Sequence, residues 1–363
     1  MAGLVQGVFP ELLSAFLKEK LASVPNNHLS SRNAIERQYL SDPAEEVILE
    51  SDRRRHYESE LTLEYQGSPL IGIERLYKKT VLIEPTTACA AHCRWCLRGL
   101  YPSQVMTKND LTRAAMYIGS PENINEVDEV LITGGDPFVS FSLLEHTLQE
   151  LLRYAPNIRF VRIGTRVPVH NPALINDKLI KLLSSSNRFN VEVGLNINHP
   201  VEFWPETKEA INKFHSAGIS LYSQHPLLKG VNDDIDVLVS LYSLLRENRI
   251  QAHYLFHAIP LAGAAHHRTS LSRGLQLACE LSSCGSISGR AKPKFAVLSD
   301  IGKIVMYEDT IVDVDKANSL VLLRSGYNYE DRLRWNPTWK IPDSSFVGKD
   351  GLLYTWYQDS PNE

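Results

Sequence analysis

Six times between residues 81 and 283, a short run rich in β-branched residues is followed by a helical stretch. That alternation, more than any other feature, restricts the folds open to this chain. The runs are VLIEP (81–85), EVLITGG (129–135), FVRIGT (160–165), VEVGLNI (191–197), ISLYSQ (219–224) and QAHYLFHAI (251–259). The stretches that follow, such as SLLEHTLQELLRYA, DIDVLVSLYSLLRENR and LSRGLQLACELSS, space their apolar residues for one face of a helix. Strands alternating with helices in steps of about 30 residues predict right-handed βαβ units around a parallel sheet. Six units are too few to close an eightfold barrel. The expected fold is therefore α/β, an open (β/α)6 TIM-like partial barrel over about 75–290.

Around that barrel the reading places two further parts. Residues 1–74 predict an N-terminal helical extension, with Phe9, Leu12, Leu13, Phe16 and Leu17 at helical spacing behind Pro10. The run SDRRRHYESE within it reads as a solvated helix face. In the C-terminal segment, 291–363, KFAVLSDIGKIVMYED reads as a strand, a glycine turn and a second strand that extend or cap the open side.

The net charge of −4 offers no nucleic-acid surface, and no apolar run approaches the roughly 18 to 20 residues of a membrane span. Five cysteines, an odd number with three clustered, argue against a secreted disulfide scaffold. The expected location is cytoplasmic.

On such a barrel, sites form where strands end. The stretch TTACAAHCRWCLRG follows the first strand, TGGDP the second, GTRVPV the third, NINHP the fourth and SQHP the fifth, and His257 ends the sixth. Cys89, Cys93 and Cys96 are one thiolate short of a tetrahedral structural zinc site. They suit a four-iron cluster with one iron left open. A zinc site completed by a distant His or Cys, or plain structural cysteines, are the competing readings.

The spacing Cys-x3-Cys-x2-Cys after the first strand of a partial barrel resembles the radical S-adenosylmethionine (SAM) enzymes. The resemblance implies a [4Fe–4S] cluster on Cys89, Cys93 and Cys96, with SAM chelating the fourth iron and cleaved to a 5′-deoxyadenosyl radical. Trp95 matches the aromatic position beside the adenine. Gly134, Gly135 and Asp136 match the glycine–glycine–acid element, where glycines admit the methionyl group and the carboxylate accepts from its ammonium.

Several segments in order narrow the resemblance to the lysine 2,3-aminomutase family: RWCLRGLYPSQ, VRIGTRVPV, NHP, QHPLLKGVND, GAAHHRT and PKFAVLSDIGK. The family implies pyridoxal phosphate (PLP) on a lysine, here Lys303 in DIGKIV. ERLYKKT resembles its phosphate segment, making Arg75, Tyr77 and Lys79 candidates. Arg98 matches the arginine that grips the substrate carboxylate, and His199 and Gln224 match positions near SAM.

The family's two aspartates for the substrate's far ammonium fall on Ile259 and Leu298, with Asp300 able to compensate under a shifted alignment. His257, His266, His267 and Arg268 offer nearby donors. Cys279 and Cys284 read as structural. The implied activity is movement of an amino group from Cα to Cβ of a free α-amino acid other than lysine, with arginine and glutamate-like acids as candidates. The alternatives are side-chain desaturation with the same cofactors, the branch that modifies a lysine of an elongation factor, and a non-catalytic Fe–S or zinc protein. Implied partners are the small-molecule substrate and an electron donor of the flavodoxin or ferredoxin type, with homo-oligomerisation left open.

Overall fold

A computed structural model describes residues 12–24, 29–48, 63–100 and 103–360. Phe9, Pro10 and the run SDRRRHYESE lie outside them. Two helices open the described chain, α1 (Ala15–Ser23) and α2 (Leu29–Tyr39). The first begins at Ser14, whose hydroxyl accepts from the Leu17 N–H and caps the helix. A hairpin follows, β1 (Glu64–Tyr65) and β2 (Ser68–Pro69).

The main sheet then runs through β3 (Ile73–Glu74), β4 (Thr80–Thr86), β5 (Glu129–Gly134), β6 (Phe160–Thr165), β7 (Asn190–Leu195), β8 (Ser220–Leu227), β9 (Gln251–His257), β10 (Lys294–Ser299) and β11 (Gly302–Val305). These nine strands lie side by side in chain order and leave β3 and β11 as free edges, so the barrel is open. Strands β4 to β10 are parallel, while β3 and β11 run antiparallel at the edges.

All six predicted βα units are present, their helices being α3 (Lys108–Ile118), α4 (Phe141–Tyr154), the short α5 (Val167–His170) with α6 (Asp177–Ser184), α7 (Pro205–Ser216), α8 (Ile235–Glu247) and α9 (Leu271–Ser283). Strand β10 adds a seventh parallel strand, because α9 returns the chain to the sheet as the earlier helices do.

Alternation along the strands separates two faces. Val130, Ile132, Val161 and Ile163 join the core with Leu144, Leu148, Leu151 and Phe214 from the helices. Glu129, Thr133, Arg162 and Gly164 take the opposite face and are only partly covered. The remaining chain forms a separate antiparallel sheet, β12 (Ile311–Asp315), β13 (Leu320–Asn328), β14 (Ser345–Val347) and β15 (Leu352–Gln358), with α10 (Tyr329–Trp335) after β13. Buried Arg332 of α10 donates to the Ile301 carbonyl at 2.9 Å and ties the β10–β11 turn to this sheet. Among the described residues no helix is long and apolar enough to cross a membrane.

Candidate active site

The three cysteines sit in the loop leaving β4, and two neighbours fix that loop's path. One is the end of β5. The Gly135 N–H donates to the Thr86 carbonyl at 2.7 Å and the Asp136 N–H to that of Ala88 at 2.8 Å. A Cβ at Gly135 would lie 2.2 Å from the Ala88 oxygen, and Gly134 has φ of +108°. The two glycines thus admit the backbone of the cysteine loop itself, a closer reason for them than the methionyl group the sequence suggests.

The other neighbour is the N-terminal extension. The His92 N–H donates to the Leu12 carbonyl and the Arg94 N–H to that of Gln38, each at 2.9 Å. The Arg94 guanidinium forms a buried two-pronged pair with Glu45, its Nε 2.8 Å from Oε1.

All three thiols are free, and each lines a cavity of about 230 Å³ at the strand ends. Burial pushes each thiol up, Cys93 to about 11, so a metal must displace protons to bind here. Trp95, Gly134, Gly135, Asp136 and Gln224 line the same cavity. A second cavity of about 210 Å³ adjoins it, sharing Trp95, Cys96, Arg98, Asn196 and Gln224, and reaches Ile259 and Leu298. Trp95 Nε1 and Asn196 Oδ1 are buried without a hydrogen-bond partner among the described residues.

Asn196 was missed by the sequence reading. Its signal lay in the period of β7, where Glu192, Gly194 and Asn196 alternate onto the face that lines the cavities. His199 borders neither cavity; its Nδ1 accepts from the Val201 N–H at 3.2 Å and caps a short 3-10 turn. The Asp136 carboxylate already accepts from Thr165 Oγ1 at 2.9 Å, the Arg166 N–H at 2.7 Å and the Phe138 N–H at 3.1 Å. It organises the rim instead of standing open to an ammonium. Arg98 lies at the border of both cavities, but its guanidinium rests between two buried carboxylates, Glu84 and, at 3.3 Å, Glu74.

Lys303 lies deeper on the same face. It lines a cavity of about 400 Å³ with Glu129, Arg162, Glu192, Tyr222 and Tyr254. Its Nζ is 4.1 Å from the Tyr254 ring centre and 5.6 Å from that of Tyr77. Burial, with the neighbouring Arg162 charge, holds the amine down at about 8. Of the phosphate candidates, Tyr77 alone joins Lys303. Arg75 is buried among Tyr117, Asn123 and Glu126 and stacks on Trp335, and Lys79 reaches outward to Asp128 at 3.3 Å. A cation that lines the cavity with Lys303 is Arg162, itself 2.6 Å from Glu129.

The two levels stand on shared strands. Arg162 is two residues from Gly164, Tyr222 two from Gln224, and Glu129 four from Thr133. At about 3.3 Å per residue they are about 7 to 13 Å apart.

The model of the radical SAM superfamily matches residues 83–241. A putative L-lysine 2,3-aminomutase of Aquifex aeolicus is 36% identical over 231 residues, 62% of this chain and 60% of its own. An L-lysine 2,3-aminomutase of Methanococcus maripaludis is 35% identical over 259 residues, 70% of this chain and 57% of its own. The chain thus spans less than two thirds of the length of these relatives. Among solved structures, a radical SAM methyltransferase from Sphaerobacter thermophilus is 17% identical with a TM-score of 0.48, covering 63% of this chain and 69% of that one. A cysteine-bearing loop at the rim of an open barrel and a superfamily match that includes it agree: the chain belongs to the radical SAM superfamily and is homologous to proteins named L-lysine 2,3-aminomutase.

Proposed function

We propose that this radical SAM enzyme acts on a free α-amino acid with pyridoxal phosphate on Lys303, moving the amino group from Cα to Cβ. The observation that carries the reading is the alignment of two levels on one face of the half-barrel, three thiols at the rim and a largely buried lysine below. Bound at these levels, the cluster and SAM would supply a hydrogen-abstracting radical, and the aldehyde cofactor would supply electron delocalisation at the migrating nitrogen.

The chain's own residues would do the rest. Cys89, Cys93 and Cys96 would hold three irons, and Trp95, Asn196 and Gln224 would meet the polar edges of SAM. Lys303, with its amine near 8, carries enough neutral amine at neutral pH to condense with an aldehyde. Tyr77 and Tyr254 flank that amine, and Arg162 is the cation available to a phosphate. Arg98 would exchange a glutamate for the substrate carboxylate. The cavity walls would keep water from the radical.

The substrate's far end is read from the cavity that holds Ile259 and Leu298. No aspartate or glutamate is among its described lining residues. Asp300, the residue that could have met a cation, accepts from Ser344 Oγ at 2.6 Å and does not line it. Arg268 is engaged elsewhere, with the Gln358 carbonyl at 2.7 Å, and His257 lines the cavity with its ring nitrogens already 2.8 Å from Tyr357 Oη and 2.9 Å from the Thr269 carbonyl. His225 and His267 line the cavity, and burial holds both rings neutral, at about 3 and about 2.

An ammonium or guanidinium here would lose its hydration without a carboxylate in return, a cost of several kcal/mol. Neutral imidazoles suit an acid or amide end better, so a glutamate-like substrate ranks above arginine and lysine. The test is a turnover screen of free amino acids with SAM, PLP and a strong reductant, read by mass spectrometry. Glutamate-like acids should give β-amino products with 5′-deoxyadenosine far below stoichiometry. Lysine or arginine turning over with the higher kcat/KM would sink the substrate reading, and stoichiometric 5′-deoxyadenosine with an unsaturated product would sink the aminomutase reading.

A further inference from the structure

The motif GTRVPV places one residue, Arg166, against the cysteine loop. It follows β6 and caps α5, and its backbone N–H is held by Asp136 at 2.7 Å. Its Nη1 lies 3.0 Å from Cys93 Sγ. Its Nη2 donates to Gln38 Oε1 at 2.6 Å and to Glu202 Oε1 at 2.7 Å. The guanidinium is packed between the rings of Trp95 and Tyr39, at 5.4 and 5.1 Å from their centres. Gln38 and Glu202 are fully buried, and Glu202 is fixed in turn by the Asn198 N–H at 2.6 Å. Four elements far apart in sequence therefore aim one permanent cation at one thiol.

We propose that Arg166 is a positioning residue that sets the reduction potential of the cluster, through a charge-assisted hydrogen bond from its guanidinium to the Cys93 thiolate. The inference rests on the cluster reading above. Reduction adds one electron to the cluster, taken from an external low-potential donor of the flavodoxin or ferredoxin class. No proton need follow, since a guanidinium stays charged. The added negative charge strengthens an N–H···S bond in a buried, weakly screened site, so the reduced state gains more than the oxidised one. Glu202, on the far side of the guanidinium, opposes this from a greater distance.

The experiment uses the full chain, reconstituted anaerobically with iron and sulfide, with the potential read by mediated redox titration and electron paramagnetic resonance. Arg166→Gln should keep its iron and sulfide yet be at least tenfold harder to reduce, about 59 mV lower for one electron. Arg166→Lys should recover part of that shift. Glu202→Gln should move the potential upward, because it removes the charge that opposes the guanidinium. An unchanged potential in loaded Arg166→Gln overturns the proposal. Should that variant fail to load, Arg166→Lys decides: a potential below that of the wild type supports the inference, and an unchanged one overturns it. A wild-type chain that binds no cluster overturns the underlying reading and this inference with it.

Discussion

The rim with its cysteines and the deeper level with Lys303 share strands but are built by opposite means. At the rim, backbone meets backbone: glycines at the end of β5 let the cysteine loop touch the sheet, and the extension before the barrel grips the loop from the other side. At the Lys303 level, long side chains converge, and the charges pair among themselves, as Arg162 does with Glu129. The rim is therefore rigid and intolerant of added atoms. The inner level is adjustable, since an ion pair that is partly exposed exchanges partners at small cost. A site that must hold a metal cluster in register needs the first property, and one that must admit and release a substrate needs the second.

The largest effect expected is on the rim's chemistry. Replacing Cys89, Cys93 and Cys96 together with alanine should take bound iron from about four per chain, the stoichiometry of a four-iron cluster, to background and abolish SAM cleavage. Cleavage that survives in that variant would break the assignment of the rim.

Next comes the grip of the extension. Glu45→Ala removes the carboxylate from a fully buried Arg94 and should cost about 3–5 kcal/mol in urea unfolding. Glu129→Ala, which removes the carboxylate of the inner pair, whose side chains are 17% and 24% exposed, should cost less, about 1 kcal/mol. Equal losses would erase the contrast between the levels.

Glycines sharpen it on a smaller scale. Gly135→Ala sets a Cβ 2.2 Å from backbone and should cost about 1–3 kcal/mol. Gly164→Ala meets its nearest neighbour at 3.5 Å, an ordinary contact, and should be nearly silent by the same measurement.

The smallest effect concerns Lys303. Because its amine titrates near 8, below the usual lysine range, trapping of PLP by borohydride should rise as pH climbs through 8 and fall below it, with the label mapped to Lys303. Glu129→Gln removes a charge that favours the protonated amine, so the profile should move to lower pH. A label on Lys292 or Lys294 would show that another lysine carries the group.

Local pattern carried much of this. Strand and helix periods, with Pro205 opening α7 and Leu271–Ser283 forming α9 as read, established the order of elements and hence the rim on which the cysteines, Gly134, Gly135 and Gln224 stand. What a period of two or 3.6 cannot encode is which side chains the curved sheet brings together. Arg75 and Lys79 looked like partners of the group on Lys303 because ERLYKKT resembles the family's phosphate segment, yet Arg75 found its partners in Tyr117, Asn123 and Glu126, 42 to 51 residues on. Arg166 reached Cys93 across 73 residues and Gln38 across 128. The alternation determined where the chemistry stands. Tertiary packing decided which charges face it, because a buried ion takes the partner that satisfies it in three dimensions, wherever that partner lies along the chain.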